Sequence, residues 1–380
     1  MNDRETRALR TRLARAIEGI APEWAPIFER VPRHRFVSRI IGCWPAREDG
    51  MEEGFVLDAE RDRRGWLELV YSDRVLVVVK EEEPERFSSS SMPSMMARFL
   101  HLLQVEDGNT VLEIGTGTGY HAALLCERLG AERVTSIDID AELVEVARAT
   151  LRRCGYEPTL AVADGYHGHA ARSPYDHIVA TCSVPAVPRA WADQLAPRGV
   201  LVAPLENGML VGLCRRDDGS LVGRADATDA NFMPLRSPAW PKEPPWTAFA
   251  EPAELGPTVP PEGWMLSREA RFHARLHVPD LEIGFSDGDW SLAGPRDGSW
   301  ARIVAEESNG CVLGQGGPRR LWDLYRAAAR GWDEAGRPGL ERYGLTVRPD
   351  GRQFVWLDDP DAGPRWELPR PQDVGVRVPG

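Results

Sequence analysis

The sequence predicts an α/β protein built on a doubly wound parallel sheet, and three strand ends predict it. Val111, Leu112 and Ile114 form a short apolar run stopped by glycines, which reads as a buried strand entering a turn. Residues 133–138 read as a second strand ending in the carboxylate of Asp138, and residues 159–163 as a third ending in Asp164 and Gly165. After the first strand, residues 121–129 have helical spacing and Gly130 is placed to stop the helix. After the second, Asp140 is placed to cap a helix over 141–153. A strand, a glycine turn and a helix N-terminus together make a nucleotide cradle.

The glycine spacing decides which nucleotide. A dinucleotide fold takes G-x-G-x-x-G directly after the strand, and counted from Gly115 the sixth position is Tyr120. Counting from Gly117 gives a formal match ending in Ala122, but it starts two residues too late for a strand ending at Ile114. The pattern that fits is acidic-x-Gly-x-Gly-x-Gly with Glu113 inside the strand end, as in S-adenosylmethionine-dependent methyltransferases. Asp138, 19 positions after Gly119, can accept two hydrogen bonds from a ribose diol. The competing role of helix cap falls to Asp140 instead. Asp164 offers a second acidic group on the adenine side.

A length of 380 residues predicts two domains, or one with a large appendage. We divide the chain into an N-terminal extension (1–86), a nucleotide-binding domain (87–235) and a C-terminal α+β domain (236–380). The net charge of −12 argues against a nucleic-acid binder, which needs a basic stripe. No apolar run reaches membrane-spanning length and the polar N-terminus lacks a signal region, so a cytoplasmic location is expected. The six scattered cysteines, with no C-x-x-C pair, read as reduced thiols.

Residues 5–20 have helical periodicity, with Leu9, Leu13, Ala16 and Ile17 on one face. Val75-Leu-Val-Val-Val79 reads as a β segment, and the charge run 80–86 as a solvated loop. Ser88-Ser-Ser-Ser-Met-Pro93 then leads into a helix over 94–103, so on composition alone these serines read as loop and cap.

Several of these segments, in this order, resemble the protein-L-isoaspartate O-methyltransferase family. Val31-Pro-Arg-His-Arg-Phe-Val37 matches its Val-Pro-Arg-x-x-Phe-Val motif, and Tyr71-Ser-Asp73 its Tyr-x-Asp segment. Ser89-Ser-Ser91-Met-Pro93 matches its Thr/Ser-x-Ser-x-Pro loop. The blocks at 164–165, 173–179, 187–190 and 194–204 follow, and Phe232-Met-Pro-Leu235 resembles its closing strand. The resemblance implies a Rossmann-like class I fold and methyl transfer from S-adenosylmethionine to a peptide carboxylate. By position it implies that Ser91 touches the reacting carboxylate. It implies cofactor contacts from Ser89, Glu113, Gly115, Thr116, Gly117, Gly119, Asp138, Ile139, Asp164 and Gly165. No strong base is visible, and none is needed for an acceptor already ionised at neutral pH. His167 and His169, one residue apart, are an incomplete ligand set, so no metal is expected.

Beyond 235 the chain departs from the family pattern. Residues 234–263 are proline-rich and read as an extended linker or wrapping loop. Residues 271–278 alternate strictly, with Phe272, Ala274, Leu276 and Val278 on one side, and read as a strand whose polar face carries His273 and His277. Residues 319–330 read as a helix ending at or soon after Gly331, and residues 345–356 as a hairpin turning at Pro-Asp-Gly. Nine of the thirteen tryptophans lie beyond residue 236, most of them expected in a core. The appendage and its ending, Val355-Trp-Leu-Asp-Asp-Pro-Asp361, resemble the methyltransferases that accompany ATP-grasp ligases in ribosomal peptide (graspetide) maturation. That resemblance implies an aspartate of an ATP-grasp-modified precursor peptide as the acceptor, with aspartimide as the outcome. The alternatives are isoaspartate repair and a non-catalytic nucleoside- or peptide-binding module. The intact Glu113, glycines, Asp138, Asp164 and Ser91 argue against the last.

Overall fold

The computed structural model describes residues 3–44, 56–79, 87–238, 256–258, 261–286, 289–305 and 310–369. The charge run 80–86 lies outside these residues, as do positions 239–255 and 259–260 of the proline-rich stretch. The N-terminal part comprises α1 (Asp3–Glu18), α2 (Ala25–Arg30), β1 (Arg39–Ile40), β2 (Gly42–Trp44), β3 (Leu57–Asp58), α3 (Arg63–Val70) and β4 (Val75–Val79). The central part follows with β5 (Phe87–Ser90), α4 (Pro93–Leu103), β6 (Val111–Ile114), α5 (Tyr120–Leu129), β7 (Val134–Asp138) and α6 (Ala141–Arg153). It continues through β8 (Thr159–Val162), β9 (Tyr175–Ala180), α7 (Arg189–Gln194), β10 (Leu195–Pro204), β11 (Met209–Arg215) and β12 (Leu221–Asp229).

The main sheet runs β8-β7-β6-β9-β10 in parallel and extends through antiparallel β11 and β12. The chain winds outward from β6 through β7 to β8, then returns to place β9 on the other side of β6. That reversal opens a crevice at the carboxyl ends of β6 and β9, where ligands of such sheets bind. Every residue of β6 and β7 is buried, as strands covered on both faces require. The predicted cap is observed: Asp140 accepts from the main-chain N–H groups of Glu142 (3.0 Å) and Leu143 (3.3 Å).

The serine cluster is not a loop. Ser88, Ser89 and Ser90 pair with Val78, Val77 and Leu76 of β4, and Ser88 and Ser90 are buried. Serine has no strong strand propensity of its own, and the neighbouring apolar strand supplies the ladder. The segment 232–235, expected as a closing strand, contributes only a bridge between Pro234 and Ser183 and otherwise walls the crevice.

The remaining elements are β13 (Gly256–Thr258), α8 (Arg268–His277), β14 (Glu282–Ser286), β15 (Asp289–Gly294), β16 (Ser299–Ala305), β17 (Cys311–Gly316), α9 (Leu321–Glu334), β18 (Tyr343–Val347), β19 (Gln353–Leu357) and β20 (Arg365–Glu367). β13 to β17 form a separate five-stranded antiparallel sheet, whereas β18, β19 and β20 add to the main sheet beside β12, making ten strands. The predicted hairpin is β18–β19, and α9 runs to Glu334.

Of residues 271–278, expected as a strand, Val278 is the C-cap and all the others lie in the helix α8. Ser267 caps it through Ala270 N–H (3.2 Å). Phe272 and Leu276, four apart, enter the core of the main sheet. Ala274 and Val278, also four apart, enter the core of the second sheet with Trp322 and Tyr325. A helix pressed between two cores carries apolar residues on two opposite faces, and two such i, i+4 pairs offset by two residues mimic strand alternation. His273 and His277 consequently sit one turn apart, with their Nε2 atoms 3.3 Å apart.

Candidate active site

The glycine turn after β6 is fixed by the neighbouring strand. Gly115 and Thr116 donate their N–H groups to the carbonyl of Ile137 (2.8 and 3.1 Å), and Gly117 donates to the Asp138 carboxylate (3.0 Å). Gly115 sits at φ +99°, and a β-carbon there would lie 2.5 Å from Thr181 Oγ1, so no side chain fits. A β-carbon on Gly117 would project toward Ser88 Oγ, 3.3 Å away. The glycine turn and the serine strand therefore face each other closely.

Between them lies a cavity of ≈ 870 Å³. Of the residues singled out in the sequence, Ser89, Ser91, Gly115, Thr116, Gly117, Asp138, Ile139 and Gly165 line it, and Glu113, Gly119 and Asp164 do not. Glu113 is fully buried beneath the turn, where its carboxylate meets His121 Nδ1 (2.6 Å) and accepts from Ser136 Oγ (2.5 Å). Gly119, at φ +82°, is the N-cap of α5. Asp164 accepts from Tyr166 N–H (2.9 Å) and Ser237 Oγ (2.7 Å), shaping the turn at Gly165. A β-carbon on Gly165 would lie 2.6 Å from Ile114 Cγ2, and its carbonyl accepts from Trp191 Nε1 (2.7 Å).

The serine segment is held from behind by Arg33, which is fully buried. Its guanidinium donates to the carbonyls of Val70 (2.9 Å), Ser72 (3.1 Å), Arg74 (3.2 Å), Ser90 (3.2 Å) and Ser91 (2.9 Å). Burial lowers its pKa to about 10, with Tyr120 and Asp73 opposing the shift. The Tyr-x-Asp segment has matching duties: Tyr71 OH meets His34 Nδ1 (2.6 Å), and Asp73 accepts from Ser94 N–H (2.8 Å) at the start of α4. The Val-Pro-Arg and Tyr-x-Asp motifs were visible in the sequence, but the roles of Arg33 and Asp73 depend on partners distant in the chain.

Three further lining residues carried no sequence signal: Thr181, His121 and Arg236. Thr181 donates to the Gly115 carbonyl (2.8 Å) and fixes the turn from β9. Arg236 reaches the carboxylates of Asp138 (3.4 Å) and Asp140 (3.9 Å). Burial pushes the Cys182 thiol up to about 12, so it is no nucleophile at neutral pH. His167 and His169 do not line the cavity, and no group of three or more metal-ligating side chains comes together among the described residues.

The residues present fit S-adenosylmethionine. A glycine turn leaves room for close backbone approach, Asp138 at the second strand end can meet a ribose, and Gly165 lines the same cavity. A family profile described as Protein-L-isoaspartate(D-aspartate) O-methyltransferase matches residues 59–239. Protein-L-isoaspartate O-methyltransferase 2 of Archaeoglobus fulgidus is 38% identical over 149 residues, covering 38% of this chain and 68% of that protein. The Hyperthermus butylicus enzyme is 31% identical over 226 residues, covering 54% of this chain and 89% of that protein. The match to the Thermotoga maritima enzyme, at 36% identity, spans 42% of this chain and about half (49%) of that protein. A solved structure named protein-L-isoaspartate O-methyltransferase superposes with a TM-score of 0.54 at 22% identity, covering 92% of this chain and all of its own. Its coverage reaches well past residue 239, so the fold of the C-terminal residues has a counterpart there. The chain belongs to the protein-L-isoaspartate O-methyltransferase family, S-adenosylmethionine-dependent carboxyl methyltransferases of class I fold.

Proposed function

We propose that this protein methylates the side-chain carboxylate of isoaspartyl residues in peptides and proteins. The observation that carries this reading is the single cavity lined on one side by the serine segment and on the other by the glycine turn. When bound, S-adenosylmethionine supplies a methyl carbon that a carboxylate oxygen attacks, the carbon–sulfur electron pair staying on sulfur, so no proton is transferred. Ser89, Gly115, Thr116, Gly117, Asp138, Ile139 and Gly165 hold the cofactor, while Glu113, Gly119 and Asp164 shape the turns that present them. Ser91 orients one acceptor oxygen by its hydroxyl, and Arg33 fixes the Ser91 main chain. The residues thus contribute alignment and exclusion of water rather than acid–base chemistry.

The test compares an isoaspartyl peptide with its aspartyl counterpart, each incubated with enzyme and S-adenosylmethionine and weighed by mass spectrometry. Methyl ester on the isoaspartyl peptide alone is the expected result, and equal labelling of both would overturn the reading.

A second reading makes an ordinary aspartate of an ATP-grasp-modified precursor peptide the acceptor, with aspartimide as the outcome. It draws on the residues after 235 and the ending at 355–361. A solved protein named protein-L-isoaspartate O-methyltransferase covers 92% of this chain, so the fold of these residues has a counterpart in a protein of that name, which supports the first reading over the second. Gain of a methyl mass followed by net loss of water on such a precursor would favour the second reading. No helix among the described residues is long and apolar enough to cross a membrane.

A further inference from the structure

Across the main sheet the cavity has two sides. Strand order places β7, β6, β9 and β10 next to one another, with Asp138 at the end of β7 and Glu206 just past the end of β10. Three strand spacings separate them, roughly 14 Å, and the glycine turn after β6 lies between. On the β10 side, the wall is joined by successive contacts to the serine segment. Helix α4 starts at Pro93, just after Ser91, and packs on β9 and β10. Its Phe99 meets the ring of Phe232 (centroids 5.0 Å apart), and the Met233 carbonyl accepts from Ser183 N–H (3.0 Å). The Val184 carbonyl accepts in turn from Glu206 N–H (3.0 Å).

Phe99, Phe232, Met233 and Pro185 make that wall apolar, and among the described lining residues Glu206 is its one charged group. The other lining charges lie elsewhere: Arg236 faces Asp138 and Asp140, and His121 meets Glu113. A carboxylate on this side opposes an acceptor that is itself an anion, because apolar surroundings screen like charges weakly. A cation carried by the same peptide reverses the sign. We propose that Glu206 selects the acceptor peptide by charge, favouring lysine or arginine beside the isoaspartyl residue and disfavouring glutamate or aspartate there. Ester formation leaves the flanking charge unchanged, so Glu206 acts on peptide binding rather than on the chemical step. Its role is to determine specificity, and the inference rests on the isoaspartyl reading of the site.

The experiment measures KM and kcat for isoaspartyl peptides of one sequence, with Lys, Gln or Glu immediately before or after the isoaspartyl residue. With the unaltered protein, KM is expected to be about 3- to 30-fold lower for Lys than for Glu at one or both positions, with kcat alike. The contrast should shrink as salt is raised. Glu206→Gln is expected to bring that ratio within about twofold, and Glu206→Lys to invert it. Inversion cannot arise from poor folding, so the second variant keeps the test decisive. Equal KM for the Lys and Glu peptides at both positions, or a preference that persists in Glu206→Gln, would overturn the proposal. Methylation of none of the isoaspartyl peptides would strike the isoaspartyl reading and this inference with it, a result told apart by the missing ester mass.

Discussion

The buried guanidinium of Arg33 donates from Nη2 to the main-chain oxygen of Ser91 at 2.9 Å, across 58 positions of sequence. That bond, with four more to carbonyls of 70–74 and 90, makes the placement of the serine segment a consequence of the N-terminal extension. Arg33→Ala would orphan several buried carbonyls at roughly 1–3 kcal/mol each. We expect a stability loss of at least about 3 kcal/mol by denaturant unfolding. Arg33→Lys should recover only part, since an ammonium cannot span the same fork of acceptors. Wild-type stability in Arg33→Ala would contradict the anchoring role.

Ser91 is tested separately from the cofactor. Losing one preorganised donor in a transition state typically lowers rate about 10²–10³-fold. Ser91→Ala should therefore slow methyl transfer by that order while cofactor affinity, measured by calorimetry, stays nearly unchanged. A drop under about threefold would return Ser91 to a loop residue.

Asp138 holds Gly117 N–H at 3.0 Å while lining the cavity, and a ribose diol over it would meet its carboxylate. Asp138→Ala should weaken S-adenosylhomocysteine by roughly 1.5–3 kcal/mol, the range for hydrogen bonds to a charged group. If affinity holds, the ribose does not meet this carboxylate.

Three buried histidines predict acid sensitivity. Burial lowers His34, His177 and His273 to about 4, with Arg35 adding to the effect at His34 and His277 at His273. Below the ordinary value of 6.5 the unfolded chain takes up protons that the folded chain refuses until about 4. Their contribution is thus fully present above 6.5 and is lost as pH falls toward 4, by up to about 3 kcal/mol each. Urea midpoints should already decline between about pH 6.5 and 5, before most carboxylates titrate. A flat midpoint across that window would count against neutral burial of these rings.

The C-terminal residues predict a truncation phenotype. We propose that residues from 236 onward help hold the acceptor peptide, although β18 also pairs along β12 from Leu221 to Arg224. Removal from 237 onward would strip that partner and expose an unpaired edge with the buried face of Leu221, a template for aggregation. Reduced solubility and a lower Tm are the expected outcome by light scattering and calorimetry. A soluble truncated protein that keeps full turnover of peptide would refute both roles.

Much of the cofactor side was legible because its signals are local. Strand ends, glycines and caps sit within a few residues of one another, so Gly115, Gly117, Asp138 and the Asp140 cap were readable from spacing. The motif resemblance located Ser91 and the segment around Arg33 but could not say what Arg33 touches. Burial of Glu113 was equally hidden, since its partners His121 and Ser136 lie on a helix and a different strand. Residues 271–278 misled for a physical reason: alternation is read as a strand only if there is one core, and this segment serves two.

By itself, the sequence determined the chain's parallel sheet, its nucleoside turn and its family, because these depend on backbone geometry encoded by neighbouring residues. Tertiary structure alone decided which buried polar groups meet, that 271–277 coil into a helix between two cores, and that β18 extends the main sheet. Those outcomes follow from hydrogen bonds and apolar contacts between residues far apart in the chain, and their satisfaction is a property of the packed whole.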